Sequence, residues 1–403
     1  MKKIENWQKF PVLFSLYIAQ SIPMSFFSTV VPVIMRQENY SLESIGLLQL
    51  VKLPWILKFL WAPLVDNFTK TGNQIRRWII LSELFYAAVI VCTGFFNLQT
   101  DFNVIIILIV VAFIASATQD IATDIFAILI LKPQERGTGN SMQSAGSFIG
   151  SLFGTGVLLL AYYYFGWKNL LILLSAFVVF AIVPLLVYRK KIDMATSKKP
   201  KVKIRDIFLF FNDFNKRKRL LLLIFYYSSI IGILAMLKPY LVDLGYNVKE
   251  IGLMSGIIGT SVAALFAFMA GFIIKLIGRK TSIYLFAFVN IIAVVFFIYL
   301  ADHTPTLTDI YIGICLLWGA YGLSTVIIYT TSMDAVRKGM EGTDFTVQIV
   351  ITHLSSLIIA VLSGRIGDRL GYEGLYIVEL ILGVLTFFVI LFNYPLKLKK
   401  YDD

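Results

Sequence analysis

The feature that most constrains this 403-residue chain is a series of long apolar runs. Hydrophobic residues make up 58% of the sequence and charged residues only 15%, whereas soluble proteins carry about 25% charged residues. A run of about 20 apolar residues matches the thickness of a bilayer, where the backbone must satisfy its own hydrogen bonds by forming a helix. The sequence therefore predicts an all-α integral membrane protein.

We predict twelve transmembrane helices. Their expected bounds are 11–35, 44–64, 77–97, 104–131, 138–165, 168–188, 220–241, 249–276, 282–301, 309–333, 343–363 and 374–396. The first run follows a basic start but lacks the small-residue cleavage site of a signal peptide, so we expect it to remain as a transmembrane helix.

The distribution of basic residues predicts the orientation in the membrane. The net charge is +12, and 28 of the 36 Lys and Arg fall in the two termini and in the alternate loops that share their side. Lys and Arg are concentrated on the cytoplasmic side of membrane proteins, so both termini are expected to be cytoplasmic. This distribution accounts for the net charge without a nucleic-acid partner.

The longest loop, residues 189–219, lies between the sixth and seventh spans and holds twelve of these bases. Phe208, Phe211 and Phe214 fall near one face of a possible helix within it. A basic segment with an aromatic face is typical of a surface helix bound to anionic membrane lipids. A solvated linker between two halves is the alternative interpretation.

The two halves of the sequence resemble each other. "NYSLESIGLLQL", from Asn39, matches "GYNVKEIGLMSG", from Gly245, and "FGWKNLLIL", from Phe165, matches "LGYEGLYIV", from Leu370. Both matches have an offset of 205 or 206 residues, at which Glu135 also aligns with Glu341. Because each half has an even number of spans, the repeat is parallel, which is the layout of the major facilitator fold.

This layout predicts three parts of the chain. Residues 1–188 form an N-terminal six-helix bundle, residues 189–219 form a cytoplasmic basic linker, and residues 220–403 form a C-terminal six-helix bundle. The expected architecture is therefore twelve transmembrane helices in two pseudo-symmetric six-helix bundles.

The fourth span contains two carboxyl groups, in the stretch "SATQDIATD". Asp120 and Asp124 are four residues apart and therefore share one helix face. An ionised carboxylate in the membrane interior costs at least about 2.5 kcal/mol, and two neighbouring carboxylates disfavour each other's charge. We therefore expect one of them to carry a proton and to couple transport to protons. Pairing with a nearby Lys, or anchoring of the helix end, is the structural alternative.

Other polar residues inside the spans are candidates for substrate or proton binding. Lys52 lies in the middle of the second span, where Asp120 or a substrate carboxylate could balance its charge, whereas Lys58 is closer to the cytoplasm and can snorkel. His353, in the eleventh span, titrates near neutral pH and is a candidate proton site. The remaining candidates for substrate contacts are Gln20, Gln119, Gln143, Lys238 and Gln348.

Three motifs carry a family resemblance. "LKFLWAPLVDNF" (57–68), "SATQDIATD" (116–124) and "PQERGTGNSMQSAG" (133–146) resemble those of bacterial muropeptide permeases, siderophore importers and acetyl-coenzyme A transporters, a branch of the major facilitator superfamily. The resemblance implies a proton-coupled importer of a polar organic solute in a bacterial cytoplasmic membrane, working by alternating access. Residues 126–129 are apolar where muropeptide permeases have polar ones, which favours the siderophore importers.

Charged residues near the cytoplasmic ends of the second and third spans resemble the gate motif of this superfamily. They are Asp66, Arg76, Arg77 and Glu83. The resemblance implies that they hold one conformation closed and do not bind substrate.

Several function classes are disfavoured. A P-loop motif is missing, and the two cysteines and two histidines provide neither a metal cluster nor a catalytic triad. We expect no enzyme activity, no cofactor and no resident metal. Partners are expected to be a small-molecule substrate, protons and membrane lipids. A lipid or drug exporter of the same fold is an alternative, and a membrane-embedded enzyme is a less favoured one.

Overall fold

The computed structural model describes residues 7–37, 48–188, 201–212 and 214–393. Its α-helices, in chain order from α1 to α16, are Lys9–Ser25, Val31–Gln37, Leu53–Leu57, Ala62–Phe68, Gly72–Thr93, Phe102–Ile130, Arg136–Leu152, Leu158–Phe180, Val183–Val187, Arg205–Leu209, Phe214–Phe225, Ser228–Asp243, Val248–Ile251, Thr260–Asp302, Leu307–Asp334 and Glu341–Asn393. Short 3₁₀ or π turns join several of them, such as the π turn Phe26–Val30 between α1 and α2.

Each of the twelve predicted spans is helical in the described residues. Seven helical segments there are long and apolar enough to cross a membrane, and two of these, Lys249–Asp302 and Glu341–Leu391, each cover two predicted spans. The second span is the least regular, because 3₁₀ turns interrupt it on either side of the five-residue helix α3. Pro54 and Pro63, which lack the N–H of a regular helix, sit at helix starts within it.

Glycines mark the junctions between several consecutive spans. Gly166 has φ 68° and ψ 177°, and Gly371 has φ 69° and ψ −178°. These two residues are 205 positions apart, which is the offset of the sequence repeat. Glycine populates this backbone region without steric cost, whereas other residues avoid it. The repeat therefore extends to the backbone conformation of a specific turn in each half.

The chain divides into two compact units. The first comprises residues 1–133, 142–204 and 336–346, and the second comprises residues 134–141, 205–335 and 347–403. Each unit thus includes one short segment from the other half of the sequence, at the start of α7 and at the start of α16. The predicted division into a bundle of residues 1–188 and a bundle of residues 220–403 remains a prediction.

Part of the predicted basic linker is folded onto the first unit. The side chain of Asn67 both donates to the carbonyl oxygen of Val202, at 2.7 Å, and accepts from its backbone N–H, at 2.9 Å. Ile207 and Phe210 are buried, Phe211 is half-buried and Phe208 is exposed. Phe214 has no described side chain, and residues 189–200 lie outside the described chain.

Small residues allow α1 and α7 to pack closely in the first unit. A Cβ atom added at Gly146 would lie 2.8 Å from the carbonyl oxygen of Phe14, and one at Gly150 would lie 2.7 Å from the Cβ of Ser21. Since dispersion and close backbone approach drive helix packing in membranes, these glycines fix the distance between the two helices.

We expect Gly146→Ala to destabilise the protein by about 1–3 kcal/mol, because the carbonyl oxygen of Phe14 is backbone and cannot rotate away. Thermal unfolding of the detergent-purified protein measures the effect. Gly256→Ala is the matched control, since nothing lies within 4 Å of a Cβ at that position. Equal melting temperatures of the two variants would contradict this packing.

Candidate functional site

The two aspartates of α6 lie inside the first unit. Asp120 is 3% exposed and Asp124 is 2% exposed, and the four-residue spacing places both on one face of the helix. Every residue of α6 from Gln119 to Ile128 is buried. Two carboxyl groups are therefore held away from solvent in a mainly apolar setting, so their hydrogen-bond partners decide their charge.

Lys58 forms a buried ion pair with Asp120. The Lys58 ammonium contacts Oδ2 of Asp120, and Lys58 is itself only 2% exposed. The Lys58 Nζ also lies 4.8 Å from the centre of the Trp55 ring, which provides a cation–π contact. A buried charge pair of this kind is stable only while both members are present.

Helix α1 supplies partners to the same face of α6. The hydroxyl of Tyr17 donates to Oδ1 of Asp124, and the amide of Gln20 donates to Oε1 of Gln119. Tyr17 precedes Gln20 on α1, whereas the partner of Tyr17, Asp124, follows the partner of Gln20, Gln119, on α6. The two helices therefore run antiparallel. The result is one buried polar cluster, defined here as Tyr17, Gln20, Lys58, Gln119, Asp120 and Asp124.

The lysine of the second span that pairs with Asp120 is Lys58. Lys52 was a candidate partner of Asp120, but the structure pairs Asp120 with Lys58, while Lys52 ends a 3₁₀ turn and is half-buried. The 3₁₀ turns before Leu53 and after Leu57 change the direction in which the side chains point. A regular helix drawn through this span therefore does not predict which of the two lysines, Lys52 or Lys58, faces Asp120.

Gln143, on α7, is fully buried, and neither polar atom of its amide has a hydrogen-bond partner within the described part of the chain. The Nε2 atom of Gln119 is likewise without one among the described residues. A buried amide left unsatisfied costs about 1–3 kcal/mol. Such groups at a candidate site are available for a ligand or for water.

The second unit has a polar cluster of its own. The internal repeat aligns Gln348 with Gln143, and Gln348 accepts a hydrogen bond from the guanidinium of Arg219. Arg219 also donates to the hydroxyls of Ser332, at 2.9 Å, and Thr331, at 3.2 Å. Arg219, the last position of the predicted linker, lies in α11 and is 4% exposed.

Two candidate residues lie on exposed surface. Lys238 is exposed in α12, directly before Pro239, and His353 is exposed in α16. Neither belongs to the buried polar cluster of the first unit. Within the described residues, no group of three or more His, Cys, Asp or Glu side chains could hold a metal ion.

Asp66 caps the start of α16. Its carboxylate accepts hydrogen bonds from the backbone N–H groups of Gly342, at 2.9 Å, and Thr343, at 2.7 Å, and from the Thr343 hydroxyl, at 2.6 Å. Burial raises the pKa of Asp66 to about 6, against the opposing effect of these hydrogen bonds. The carboxylate satisfies N–H groups that a helix start leaves without partners inside the helix.

The other predicted gate residues have different environments. Arg76 lies over the Tyr188 ring, with 5.5 Å from its Cζ to the ring centre, and Arg77 is exposed. Glu83 is only 1% exposed, inside the unit on α5. The structure therefore supports grouping Asp66 with the start of α16, and it does not group Glu83 with it.

A second charged contact was missed in the sequence. In the second unit Asp334, at the end of α15, binds Arg136 at 2.7 Å and Arg279 at 2.5 Å. Arg136 is the first residue of α7, whose start aligns in the repeat with the start of α16. The two aligned helix starts are thus each held by an aspartate.

We expect Lys58→Met and Asp120→Asn to destabilise the protein by about 3–5 kcal/mol each, because either change leaves one buried charge uncompensated. The double variant should recover most of this loss, because no charge remains. Thermal unfolding in detergent measures all three, with Lys238→Met, at an exposed site, as the control. A double variant with a melting temperature no higher than that of the less stable single variant would contradict the ion pair.

Asp66 should make stability depend on pH. Its pKa is about 6 in the folded protein and 3.8 ordinarily, so the stability it contributes is fully present below pH 3.8 and is lost as the pH rises through 6. We expect the melting temperature of the wild type to fall relative to that of Asp66→Asn as the pH rises through this window. If the melting temperatures of the two proteins changed with pH by the same amount, the raised pKa of Asp66 would be contradicted.

Comparisons with known proteins agree with this architecture. Residues 13–358 match the Major Facilitator Superfamily. The chain is 28% identical over 265 residues to the anhydromuropeptide permease of Escherichia coli K12, an alignment that covers 63% of this chain and 54% of that protein. The match thus spans about half of the length of that relative. An alignment with "Putative transporter AmpG 4" of Rickettsia felis covers 94% of this chain and 95% of that protein, at 21% identity.

Two solved structures share the fold. A bacterial homologue of the iron transporter ferroportin, in an outward-facing state, superposes with a TM-score of 0.71 at 15% identity, covering 96% of this chain and 99% of the other. The human organic anion transporter MFSD10 (TETRAN) gives 0.77 at 12% identity, with the same coverage. The predicted twelve-helix fold is confirmed. This chain belongs to the major facilitator superfamily.

Proposed function

We propose that the chain imports a polar organic solute, an anhydromuropeptide, across a bacterial cytoplasmic membrane together with protons. The observation that carries the proposal is the buried polar cluster, in which the Lys58 ammonium pairs with Asp120 and a second carboxyl group, on Asp124, accepts a hydrogen bond from the Tyr17 hydroxyl. Import, proton coupling and the cytoplasmic location of both termini are parts of this proposal. Lipid contact by the basic linker is a further part of it, supported by the twelve bases of residues 189–219.

The charge balance of the cluster supports a proton-binding role. Lys58 pairs with Asp120, while Asp124 accepts a hydrogen bond from the neutral Tyr17 hydroxyl. In an apolar interior the neutral form of the cluster carries one proton on the carboxyl groups. Opening of the unit to water would let that proton leave, and closing would require another. Alternating exposure to the two sides of the membrane would then couple proton entry to transport.

The amide groups support a substrate rich in hydroxyl and amide groups. Gln143 has both polar atoms free of partners within the described residues, and Gln119 has its Nε2 free there. Sugar and peptide groups of a muropeptide could satisfy such amides. The name of the Escherichia coli relative supports this class of substrate. Buried Lys, Asp and Gln side chains disfavour the alternative of a lipid or drug exporter.

A ferric siderophore is the second candidate substrate. Its support is the stretch Phe126–Leu129, which follows Asp124 and is apolar where muropeptide permeases carry polar residues. The structure places Phe126, Ala127 and Ile128 in the buried part of α6. Polar substrate contacts from this turn are therefore unavailable.

Uptake into cells that express the chain tests these proposals. We expect labelled anhydromuropeptide to accumulate, the accumulation to be abolished by a protonophore, and the Asp120→Asn, Asp124→Asn double variant to lose it. Glu373→Gln, which changes an exposed carboxyl, is the control and should retain uptake. Accumulation of labelled ferric siderophores instead would favour the second substrate. Full protonophore-sensitive uptake by the double variant would contradict the role of the aspartates.

A further inference from the structure

A second buried acid lies outside the polar cluster. Glu83, in the middle of α5, is 1% exposed, and neither of its carboxyl oxygens has a hydrogen-bond partner among the residues that the structure describes. An ionised carboxylate without a counter-charge is strongly disfavoured in such a place, both by burial and by the surrounding membrane. The neutral acid, with its proton attached, is the form that this site can hold.

Two buried hydroxyls lie on the same two helices, α5 and α6, as Glu83 and Asp120. Tyr86 lies three residues after Glu83 on the same face of α5, and neither its hydroxyl nor that of Ser116 on α6 has a hydrogen-bond partner among the described residues. Tyr86 and Ser116 are each 1% exposed. Glu83, Tyr86 and Ser116 therefore form a small polar pocket between α5 and α6.

This pocket is one helical turn from the buried ion pair. Ser116 precedes Asp120 by four residues, and Asp120 precedes Asp124 by four, so the three side chains form a row along α6. A hydroxyl can donate one hydrogen bond while accepting another, which allows it to pass a proton between two carboxyl groups. Ser116 is thus one helical turn from Asp120, and its hydroxyl has no partner among the described residues.

Helix α8, which also packs on α5, brings no charge to Glu83. Ser175 donates to the carbonyl oxygen of Ala87 at 2.8 Å, and Trp167 donates to that of Thr93 at 3.3 Å. This antiparallel register places the apolar end of α8, near Val178, closest to Glu83. The titratable residues of α8 lie toward its other end; they are Tyr162, Tyr163, Tyr164 and Lys168.

The corresponding helices of the second unit show that a carboxyl group is not needed for packing. Between α14 and α15 a neutral pair is found, in which Ser324 donates to Oδ1 of Asn290 at 3.0 Å. The Asn290 amide also donates to the carbonyl oxygen of Tyr226 at 3.4 Å. Ser324 and Asn290 make their hydrogen bonds without a titratable group, whereas the first unit has the titratable Glu83 between its corresponding helices.

We propose that Glu83 is a second proton-binding site, which exchanges its proton with the Asp120 carboxylate through the hydroxyls of Tyr86 and Ser116. In this step the Glu83 O–H bond breaks and an O–H bond forms on Asp120, with the hydroxyls returning to their original state. No electron or cofactor is required. The inference rests on the proposed proton coupling of transport, and it adds a storage position for the proton.

Infrared spectroscopy of the purified protein near neutral pH tests whether Glu83 holds a proton. We expect the C=O stretching band of a protonated carboxylic acid in the wild type to be reduced in Glu83→Gln and shifted in Tyr86→Phe. Removal of the exposed carboxyl in Glu373→Gln should leave this band unchanged. An identical band in the wild type and Glu83→Gln would overturn the proposal.

Proton movement in proteoliposomes tests the exchange. With labelled anhydromuropeptide outside and a pH dye inside, the wild type should acidify the lumen as substrate enters, and Glu83→Gln should lose this acidification while equilibrating the substrate. Substrate entry without acidification in the wild type would overturn the proton coupling itself. Normal acidification in Glu83→Gln would overturn only the role of Glu83.

Discussion

The ion pair between Lys58 and Asp120 is the interaction around which the first unit is organised. It requires a lysine from the irregular second span to reach a carboxylate in the middle of α6, and the 3₁₀ turns beside Leu53 and Leu57 allow that approach. With the charge of Asp120 neutralised, the second carboxyl group, on Asp124, can be held by the hydroxyl of Tyr17 alone. The same α6 face then carries one charge pair and one carboxyl group held by a neutral hydroxyl, and the proposed proton coupling rests on this arrangement.

The repeat is visible in the backbone of both halves of the chain. Gly166 and Gly371 adopt the same backbone conformation 205 residues apart, so the turns before the last span of each half are built alike. The starts of α7 and α16 are also equivalent, and an aspartate binds near each, Asp334 through Arg136 and Asp66 through the backbone. Each start belongs to the unit that contains its aspartate.

The sequence was sufficient for the spans and for Asp120 and Asp124, because apolar length and an interrupted apolar run are local features. It could not select Lys58 over Lys52, since that choice depends on where 3₁₀ turns replace the regular helix. It also could not separate Arg219 from its basic neighbours, because its burial depends on Thr331, Ser332 and Gln348 from distant helices. Glu83 was assigned to a gate by resemblance, and only the packing of α5 against α6 shows it as an isolated buried acid.

Proton coupling through the buried carboxyl groups is the central step of the proposed transport. The most direct measurement is the ratio of internal to external anhydromuropeptide at equilibrium in proteoliposomes, under a series of imposed pH gradients without a membrane potential. If these carboxyl groups couple transport to protons, this ratio rises with the pH gradient in the wild type and stays at unity in the Asp120→Asn, Asp124→Asn variant. A wild-type ratio that stays at unity at every gradient would contradict this coupling.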